Sequence, residues 1–338
     1  MADLRAVHFA EPEAFLDALK AYDDSFMNFA LGSLLDSMNP AYPHSHDRST
    51  ISRTLLAVYK GDQLLITLSK ISDDFSWIIA TPRGAEDDLT PENVSAAMSQ
   101  LASLLFSIID PKRFDKAIGP TYLVNTFLQA WVTHTETQGY QLKTTAPLFS
   151  SRVSFATLAT IPPPSSTFSH YKVSKAQTEA DAEAIVPLIV DFRTHGLLKF
   201  TVEEAQRQAR VAVNMKQLWF CRVGDEIAAY ILIGRITPRT VAIRNVYVAP
   251  AHRRKGIAEA MVRALTRYYL GAEPLGFEGA PSPKPDVGTR EEICLNVAEE
   301  FVARLYARCG FLLGPDDHDP VTGKKGCFDS CWRGVEPL

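Results

Sequence analysis

The feature that most constrains the fold of this chain is a pattern of elements that occurs on both sides of a central proline run. The run, Ile161-Pro162-Pro163-Pro164-Ser165-Ser166-Thr167, favours a stiff, extended spacer, because proline fixes φ and donates no backbone hydrogen bond. Before it, two apolar strands flank Gly61-Asp62, and after it two more flank Gly224-Asp225. Both sets are typical of β-hairpins whose turns need glycine.

A second pair of features supports the duplication. An amphipathic helix over Tyr122–Thr137 ends at Gly139-Tyr140, and one over Glu299–Cys309 ends at Gly310-Phe311. Glycine just past a helix supplies the left-handed cap. We therefore predict a domain at residues 1–160, a Pro/Ser linker at 161–169 and a second domain at 170–338.

Composition narrows the class of protein. The residues are 46% hydrophobic and 22% charged, which is ordinary for globular domains. The length of 338 residues is enough for two domains that each bury a hydrophobic core. A net charge of −4 disfavours a general nucleic-acid or anionic-membrane partner. Five scattered cysteines fit a reducing compartment. Since the chain has neither an apolar run of about 18 residues nor a signal-peptide core, we expect a cytoplasmic protein.

The order of strands and helices predicts the fold class. The second half reads as strand Tyr171–Ala176, helices Glu179–Thr194 and Thr201–Met215, the hairpin, strand Thr240–Val248, helix Gly256–Leu270, strand Ile293–Val297, helix Glu299–Cys309 and short C-terminal strands. In the first half, helix Asn93–Ile109 is interpreted as core packing. This alternation predicts an α/β (α+β) architecture with a mixed sheet flanked by helices.

The strand Thr240–Val248 leads into the segment that carries the chemistry. A loop with glycine and basic residues follows it and opens the helix at Gly256–Leu270. The first backbone N–H groups of a helix lack partners, and the macrodipole favours an anion there. Gly256 and Ala258 add little bulk, so phosphate oxygens can approach the backbone. The positive charge comes from Arg253, Arg254 and Lys255.

These residues carry a family resemblance. Val246-Tyr247-Val248-Ala249-Pro250-x-x-Arg253-x-x-Gly256-x-Ala258 resembles the acyl-CoA signature of the GNAT superfamily of N-acetyltransferases, whose core is Arg/Gln-x-x-Gly-x-Gly/Ala. Leu305-Tyr306-Ala307-Arg308-Cys309-Gly310-Phe311 resembles the family's Leu-Tyr-x-x-x-Gly-Phe element. The resemblance covers about residues 170–335. The first half resembles a degenerate copy, because an acidic loop at Arg83-Gly84 stands where the signature would be.

The resemblance implies tandem domains, each a mostly antiparallel twisted sheet flanked by helices, with a V-shaped CoA cleft in the second. It implies that Val246, Tyr247 and Val248 hold the pantetheine and the acyl carbonyl. It implies that the pyrophosphate lies on Arg253, Arg254, Lys255, Gly256, Ile257 and Ala258. Tyr306 would protonate the leaving thiolate. The family's Asn seven residues before this Tyr is Glu299 here, and Asn296 is the candidate to replace it.

The general base stays open, because Thr240–Val248 contains no carboxylate. Glu292, Glu299, His195 or a water chain could serve, and an acceptor amine of low pKa would need none. The loops Asp191–Phe200 and Gly271–Arg290 are expected to decide which acceptor binds.

The leading hypothesis is an N-acetyltransferase that moves an acetyl group from acetyl-CoA directly to a primary amine of a small molecule, as a monomer or homodimer. The alternatives are a non-catalytic acyl-CoA-binding module and a protein or peptide N-acetyltransferase. Metal sites at His44 and His46, or among Cys309, His318, Cys327 and Cys331, lack recognisable ligand spacing. We therefore expect no metal.

Overall fold

The computed structural model describes residues 3–41, 53–73, 75–196, 199–275 and 284–338. The chain divides into two compact units, the first made of Met1–Ser37, His44–Val153 and Cys327–Leu338 and the second of Met38–Pro43 and Ser154–Gly326. The division differs from the predicted segments in two ways. The proline run lies inside the second unit, and the C-terminal residues join the first.

The first unit is a twisted sheet with helices packed on it. Its strands are β1 (Leu4–Phe9), β2 (Thr54–Lys60), β3 (Gln63–Lys70), β4 (Trp77–Ala80), β5 (Lys116–Pro120), β6 (Leu142–Thr144) and the C-terminal β13 (Cys327–Pro337). Its helices are α1 (Pro12–Leu19), α2 (Asn28–Met38), α3 (Pro91–Ile108) and α4 (Thr121–Thr137). The strand order is β1-β2-β3-β4-β5-β13, with β6 on β13, and only the β4–β5 pair is parallel.

The second unit repeats this plan after β7 (Phe149–Ala156), which spans the boundary between the units. Its strands are β8 (Lys172–Lys175), β9 (Leu218–Val223), β10 (Glu226–Gly234), β11 (Thr240–Val248) and β12 (Glu292–Val297). Its helices are α5 (Glu179–Thr194), α6 (Val202–Asn214), α7 (Ile257–Leu270) and α8 (Glu300–Arg308). The order is β12-β11-β10-β9-β8, and only β11–β12 is parallel.

The duplication is complete at the level of elements. A strand, two helices, a two-stranded hairpin, a fourth strand, a helix, a parallel strand and a last helix follow in the same order in both units. Both hairpin turns place glycine in the left-handed region, with φ of 57° at Gly61 and 61° at Gly224. The prediction of a mixed α/β fold with tandem, mostly antiparallel sheets is confirmed.

Local sequence signals explain why the elements begin and end where they do. Thr178 and Thr201 each form a capping box, with Asp181 and Glu204, and so fix the starts of α5 and α6. Helix α7 ends at Gly271, whose φ is 68°. The bounds predicted for α5 and β11 are confirmed, and those for α6, α7, α8 and β12 hold to within a residue or two.

Each unit has its own core. In the first, the buried faces of α3 and α4 pack on the sheet around Trp77, Phe127 and Trp131, as interpreted from the sequence. In the second, the two faces of the sheet form separate clusters. One face packs against α7 and α8, and the other against α5 and α6. Side chains at successive positions of β11 therefore point to opposite faces of the sheet and pack in different clusters.

The glycines that follow the last helix of each unit give a matched pair for a stability test. Gly139 has φ of 87° and open space around the position of a Cβ, whereas Gly310 has φ of 101° and a Cβ there would lie 2.8 Å from Ile161 Cα. Gly139→Ala should lower the free energy of unfolding by about 1–2 kcal/mol, the left-handed penalty alone. Gly310→Ala adds overlap with backbone and should cost roughly 3 kcal/mol or more.

Denaturant titration of both variants checks this, with each change measured on the transition of the unit that holds the glycine. Equal losses of unfolding free energy in the two variants would show that Gly310 is required only for its φ angle. The Ile161 backbone would then move to make room for the Cβ.

Candidate functional site

The candidate site begins where two parallel strands part. The β11–β12 pairing runs from Thr240 with Glu292 to Ile243 with Leu295 and then stops. Strand β11 nevertheless continues to Val248 and β12 to Val297. The backbone of β11 beyond Ile243 is therefore not hydrogen-bonded to β12, and the two strands open the V-shaped cleft that the fold prediction placed in the second domain.

A β-bulge lies at the point of parting. On β10, Leu232 pairs with Asn245 and Ile233 with Ile243, so Arg244 is an extra residue in β11. A bulge adds twist and redirects the side chains that follow it. Beyond it, Val246 and Val248 pack on the α7 face and Tyr247 on the α5–α6 face. The bulge is not predicted from the sequence, since a run of β-branched residues does not reveal one.

The loop between β11 and α7 has the geometry expected of an anion site. Arg254 and Gly256 adopt positive φ angles of 63° and 81°, and α7 starts at Ile257 with no side-chain cap. The N–H groups from Arg254 to Glu259 donate to no acceptor in the part of the chain that the structure describes. Six consecutive donors at a helix N-terminus suit a pyrophosphate group.

Only glycine fits at position 256. A Cβ there would lie 2.8 Å from Cε1 of Phe168, a residue just after the proline run. Tyr171 supports the same loop, because its hydroxyl donates to the carbonyl of Lys255. Phe168, in the segment predicted as a linker, and Tyr171 just after it thus support the loop from Arg253 to Ala258, which we call the anion loop.

The three basic side chains of the loop have different surroundings. Arg254 is exposed and makes no ion pair or hydrogen bond with any described residue, and Lys255 Nζ donates to the Ala251 carbonyl at 3.1 Å. Arg253 turns back toward β11. Its Nε donates to the Val248 carbonyl and its Nη2 to the Tyr247 hydroxyl, each at 3.1 Å. All three cations predicted at the phosphate are exposed, and Arg253 also braces the strand.

Asp191 has no role of its own among the predictions from the sequence. Its carboxylate on α5 accepts a hydrogen bond from the Tyr247 hydroxyl, which in turn accepts one from Arg253. Burial raises the pKa of Tyr247, and Asp191 raises it further. This chain of contacts joins α5, β11 and the loop. No local pattern points to it, because the three residues meet only in the folded sheet.

Tyr306 lies on α8 with a side chain that is 8% exposed, 5.9 Å from Phe311 between ring centroids. Burial raises its pKa above the ordinary value of about 10, so the phenol stays protonated at neutral pH. Asn296 is half-buried on β12 beyond the last β11 pair, on the cleft side of the parting. Both positions are compatible with the predicted roles.

The base candidates are placed differently. Glu292 is buried opposite Thr240, eight residues before the end of β11, and so lies roughly 25 Å from that end. Glu299 is exposed before α8, and His195 is exposed after α5. Unlike these three residues, Asp191 is hydrogen-bonded to a side chain near the end of β11, the Tyr247 hydroxyl, in the part of the chain that the structure describes.

Glu259 connects α7 and α8, the two helices that border the cleft. Its carboxylate, 11% exposed, accepts from Arg263 on its own helix at 3.0 Å and from Arg308 on α8 at 2.8 Å. Arg308 lies two residues after Tyr306, so the bridge also fixes the helix that carries this tyrosine.

Among the described residues of the first unit, the equivalent helix and strands lack both features of the site. Its helix α3 is capped by the Thr90 side chain, which accepts from the Asn93 N–H. Its parallel strands stay close, because a Cβ at Gly119 on β5 would lie 2.2 Å from the Ile79 carbonyl oxygen on β4. A capped helix and closed strands provide neither free donors nor a cleft.

Within the described ranges, no group of three or more His, Cys, Asp or Glu side chains could hold a metal ion. His44 and His46 lie outside the described residues, as do residues 197–198 and 276–283 of the two loops expected to decide which acceptor binds. All five cysteines are described and none forms a disulfide. No described helix has the length and apolar character needed to cross a bilayer.

With this geometry in place, comparison with known proteins identifies the class. The model of the acetyltransferase (GNAT) family matches residues 187–277, which run from α5 through the anion loop and α7. The second half of the chain therefore contains a GNAT domain, and the first repeats its order of elements without the anion loop. No curated protein matches the chain.

Solved structures give weaker likenesses. A tandem GNAT protein from the clavulanic acid biosynthesis pathway is 12% identical over 99% of this chain and 98% of its own, with a TM-score of 0.47. A GCN5-related N-acetyltransferase from Sphaerobacter thermophilus is 14% identical over 98% and 95%, with a TM-score of 0.45. A diaminobutyrate acetyltransferase from Paenibacillus lautus is 23% identical over 29% and 57%, with a TM-score of 0.24. None of these likenesses bears on the activity of this chain.

Glu259→Gln tests the bridge between α7 and α8. The change removes the counterion of Arg263, which is 16% exposed, and of Arg308, which is 57% exposed, and should lower the free energy of unfolding by about 1–3 kcal/mol. The matched control is Glu291→Gln, since Glu291 also pairs with an arginine, Arg239 at 2.7 Å, but is 61% exposed. Its loss should stay below about 1 kcal/mol. Chemical denaturation measures both, and equal small losses would mean that the bridge does not hold α8.

Proposed function

We propose that the second domain is an N-acetyltransferase that transfers an acetyl group from acetyl-CoA directly to a primary amine of a small molecule. One observation carries this proposal: the uncapped start of α7, with free N–H groups from Arg254 to Glu259, lies at the end of the strand that parts from β12. A phosphate site and an open strand backbone side by side suit the two ends of acyl-CoA.

The residues fit the cofactor as follows. The N–H groups of the loop, with Gly256 leaving room for oxygens, would hold the pyrophosphate. The exposed Arg254 and Lys255 add charge. The backbone of Val246 to Val248 is not paired with β12, although the Val248 carbonyl accepts from Arg253 Nε. This backbone would bind the pantetheine and polarise the thioester carbonyl as an oxyanion hole does. Asn296 would contribute from the other wall.

The transfer then needs two proton movements. The acceptor ammonium must lose a proton before nitrogen attacks the carbonyl carbon, and the sulfur must gain one as its bond to that carbon breaks. Tyr306, kept protonated by burial, is proposed as the donor to sulfur. Asp191 is proposed to accept the proton from the ammonium, because Tyr247 holds its carboxylate beside the end of β11.

The first domain is proposed to bind no CoA of its own, since Thr90 already satisfies its helix and Gly119 keeps its strands together. A cytoplasmic location and a monomeric or homodimeric state stay predictions from the sequence.

A thiol-release assay with acetyl-CoA and a panel of small amines and N-terminal peptides tests the function. Thiol release that requires an added small amine supports the proposal. CoA binding without release under any acceptor would identify a binding module, and release with peptides alone would identify a protein acetyltransferase.

The anion loop gives a prediction for binding. Lys255→Ala combined with Arg254→Ala should weaken CoA binding by about 10- to 100-fold, the effect of losing charge-assisted contacts to phosphate. Calorimetry at low and high salt measures this, and the effect should shrink as salt rises. Lys172→Ala, an exposed lysine on β8, is the control and should leave affinity unchanged. Equal affinities for the double variant and the wild type would remove the loop from the site.

Tyr306→Phe keeps the ring and its contact with Phe311 but removes the proton donor. If the hydroxyl protonates the thiolate, kcat should fall by about 100-fold while CoA affinity stays the same, because the contact forms in the transition state. In the wild type, a donor with a raised pKa stays protonated as pH rises, so its titration should not lower kcat below about pH 10. A Phe variant with normal turnover would make Tyr306 a core residue only.

A further inference from the structure

A cavity of about 240 Å³ lies in the first unit, at the end of the sheet where the parallel strands β4 and β5 begin. Lys70 at the end of β3, Trp77 at the start of β4 and Asp115 just before β5 line it. For scale, an engineered cavity of about 150 Å³ holds a benzene molecule. The space is therefore large enough for a small metabolite, in the domain that is proposed to bind no CoA.

Lys70 brings an ammonium group to this lining without a carboxylate partner. Its Nζ donates to the Phe75 carbonyl and lies 5.9 Å from the centroid of the Trp77 ring, but it forms no ion pair with any acidic side chain that the structure describes. Burial lowers the pKa of Lys70, and Asp115 and Asp73 are close enough to oppose this shift without pairing with the ammonium. An ammonium has three N–H donors, so two of them can still donate to a ligand.

Trp77 contributes a second kind of donor to the same lining. The residue is 2% exposed, and its Nε1 is buried with no hydrogen-bond partner. The ring itself packs well, with its centroid 5.7 Å from that of Phe114. An indole N–H can only donate, and it normally has an acceptor when it is buried. A buried donor on a residue that lines a cavity indicates a ligand that supplies an acceptor.

The remaining charged groups at the cavity already form pairs. Asp73 pairs with Arg113 at 3.2 Å, and Asp115 pairs with Lys116 at 3.0 Å. The positive charge of Lys70 is what these pairs leave unbalanced, and a ligand with one negative charge would neutralise it. Phosphate would bring a larger negative charge next to two carboxylates. An amine would add a positive charge beside the ammonium, which also disfavours it.

We propose that this cavity is a binding site for a small monocarboxylate, that is, an organic acid with a single carboxylate group. The carboxylate accepts from Lys70 Nζ and from Trp77 Nε1, and the carbon part of the ligand lies against Ile109, which also lines the cavity. The site lies in the first domain and does not depend on the proposed acetyl transfer, so it can be tested by binding alone.

The experiment measures the binding of butyrate and benzoate by calorimetry in the absence of CoA. Butyramide and benzamide are the neutral partners of the same shape, and inorganic phosphate and butylamine test the other charges. The variants are Lys70→Gln, Lys70→Arg as the charge-retaining version, and Trp77→Phe, which keeps an aromatic ring. Lys112→Gln is the control, because Lys112 is exposed next to Arg113 but does not line the cavity. Thermal unfolding checks that each variant is folded.

The wild type should bind at least one of the two acids about 10- to 100-fold more tightly than the matching amide, and this comparison needs no variant. Lys70→Gln should remove the preference for the acid, and Lys70→Arg should keep part of it. Trp77→Phe should weaken acid binding by about 10-fold, the effect of one lost hydrogen bond to a charged group. Lys112→Gln should leave binding unchanged.

Three results would overturn the proposal. The first is equal binding of acid and amide, or binding of neither, by the wild type. The second is a preference for the acid that survives in a folded Lys70→Gln variant. The third is tighter binding of phosphate or butylamine than of either acid, which would show that the cavity takes a ligand of another charge.

Discussion

The parting of β11 from β12 is the constraint on which the rest of the site depends. A parallel pair normally satisfies the backbone of both strands, and here the pairing ends at Ile243 and Leu295 while both strands continue. The open backbone groups need a partner, and the cleft provides room for one. The bulge at Arg244 lies where the pairing stops and redirects the side chains that follow it on β11. The ion pair between Glu259 and Arg308 joins α7 to α8, the helices that follow the two strands.

The two units differ in a few residues at the place where the second unit has free N–H donors. Their order of elements is the same, and both place a helix after the corresponding strand. In the first unit a threonine side chain caps that helix, and in the second a glycine leaves the N–H groups free. The close approach of β4 and β5 at Gly119 is a second difference. The proposed anion site therefore depends on a few residues in a loop, while the fold persists without them.

The sequence predicted elements better than it predicted contacts. Helix caps, turn glycines and the β-branched run are local signals, and they gave α5 and β11 their observed bounds. The fold class followed from the order of these elements. The bulge, the role of Asp191 and the place of residues 327–338 in the first unit depend on pairing between distant segments, which no local pattern encodes. Glu292 was a base candidate by residue type alone, and strand register places it at the wrong end of β11.

Arg253 shows why a signature residue can act through the protein instead of through the ligand. Its guanidinium donates to the Val248 carbonyl and to Tyr247, while Tyr247 donates to Asp191 on α5. The loop that follows β11 is thereby tied to α5, which packs on the face of the sheet opposite to α7. Movement of either would break the same hydrogen bonds. If acetyl-CoA binds as proposed and orders the loop, these hydrogen bonds would also fix the carboxylate of Asp191, the proposed proton acceptor, before an amine arrives.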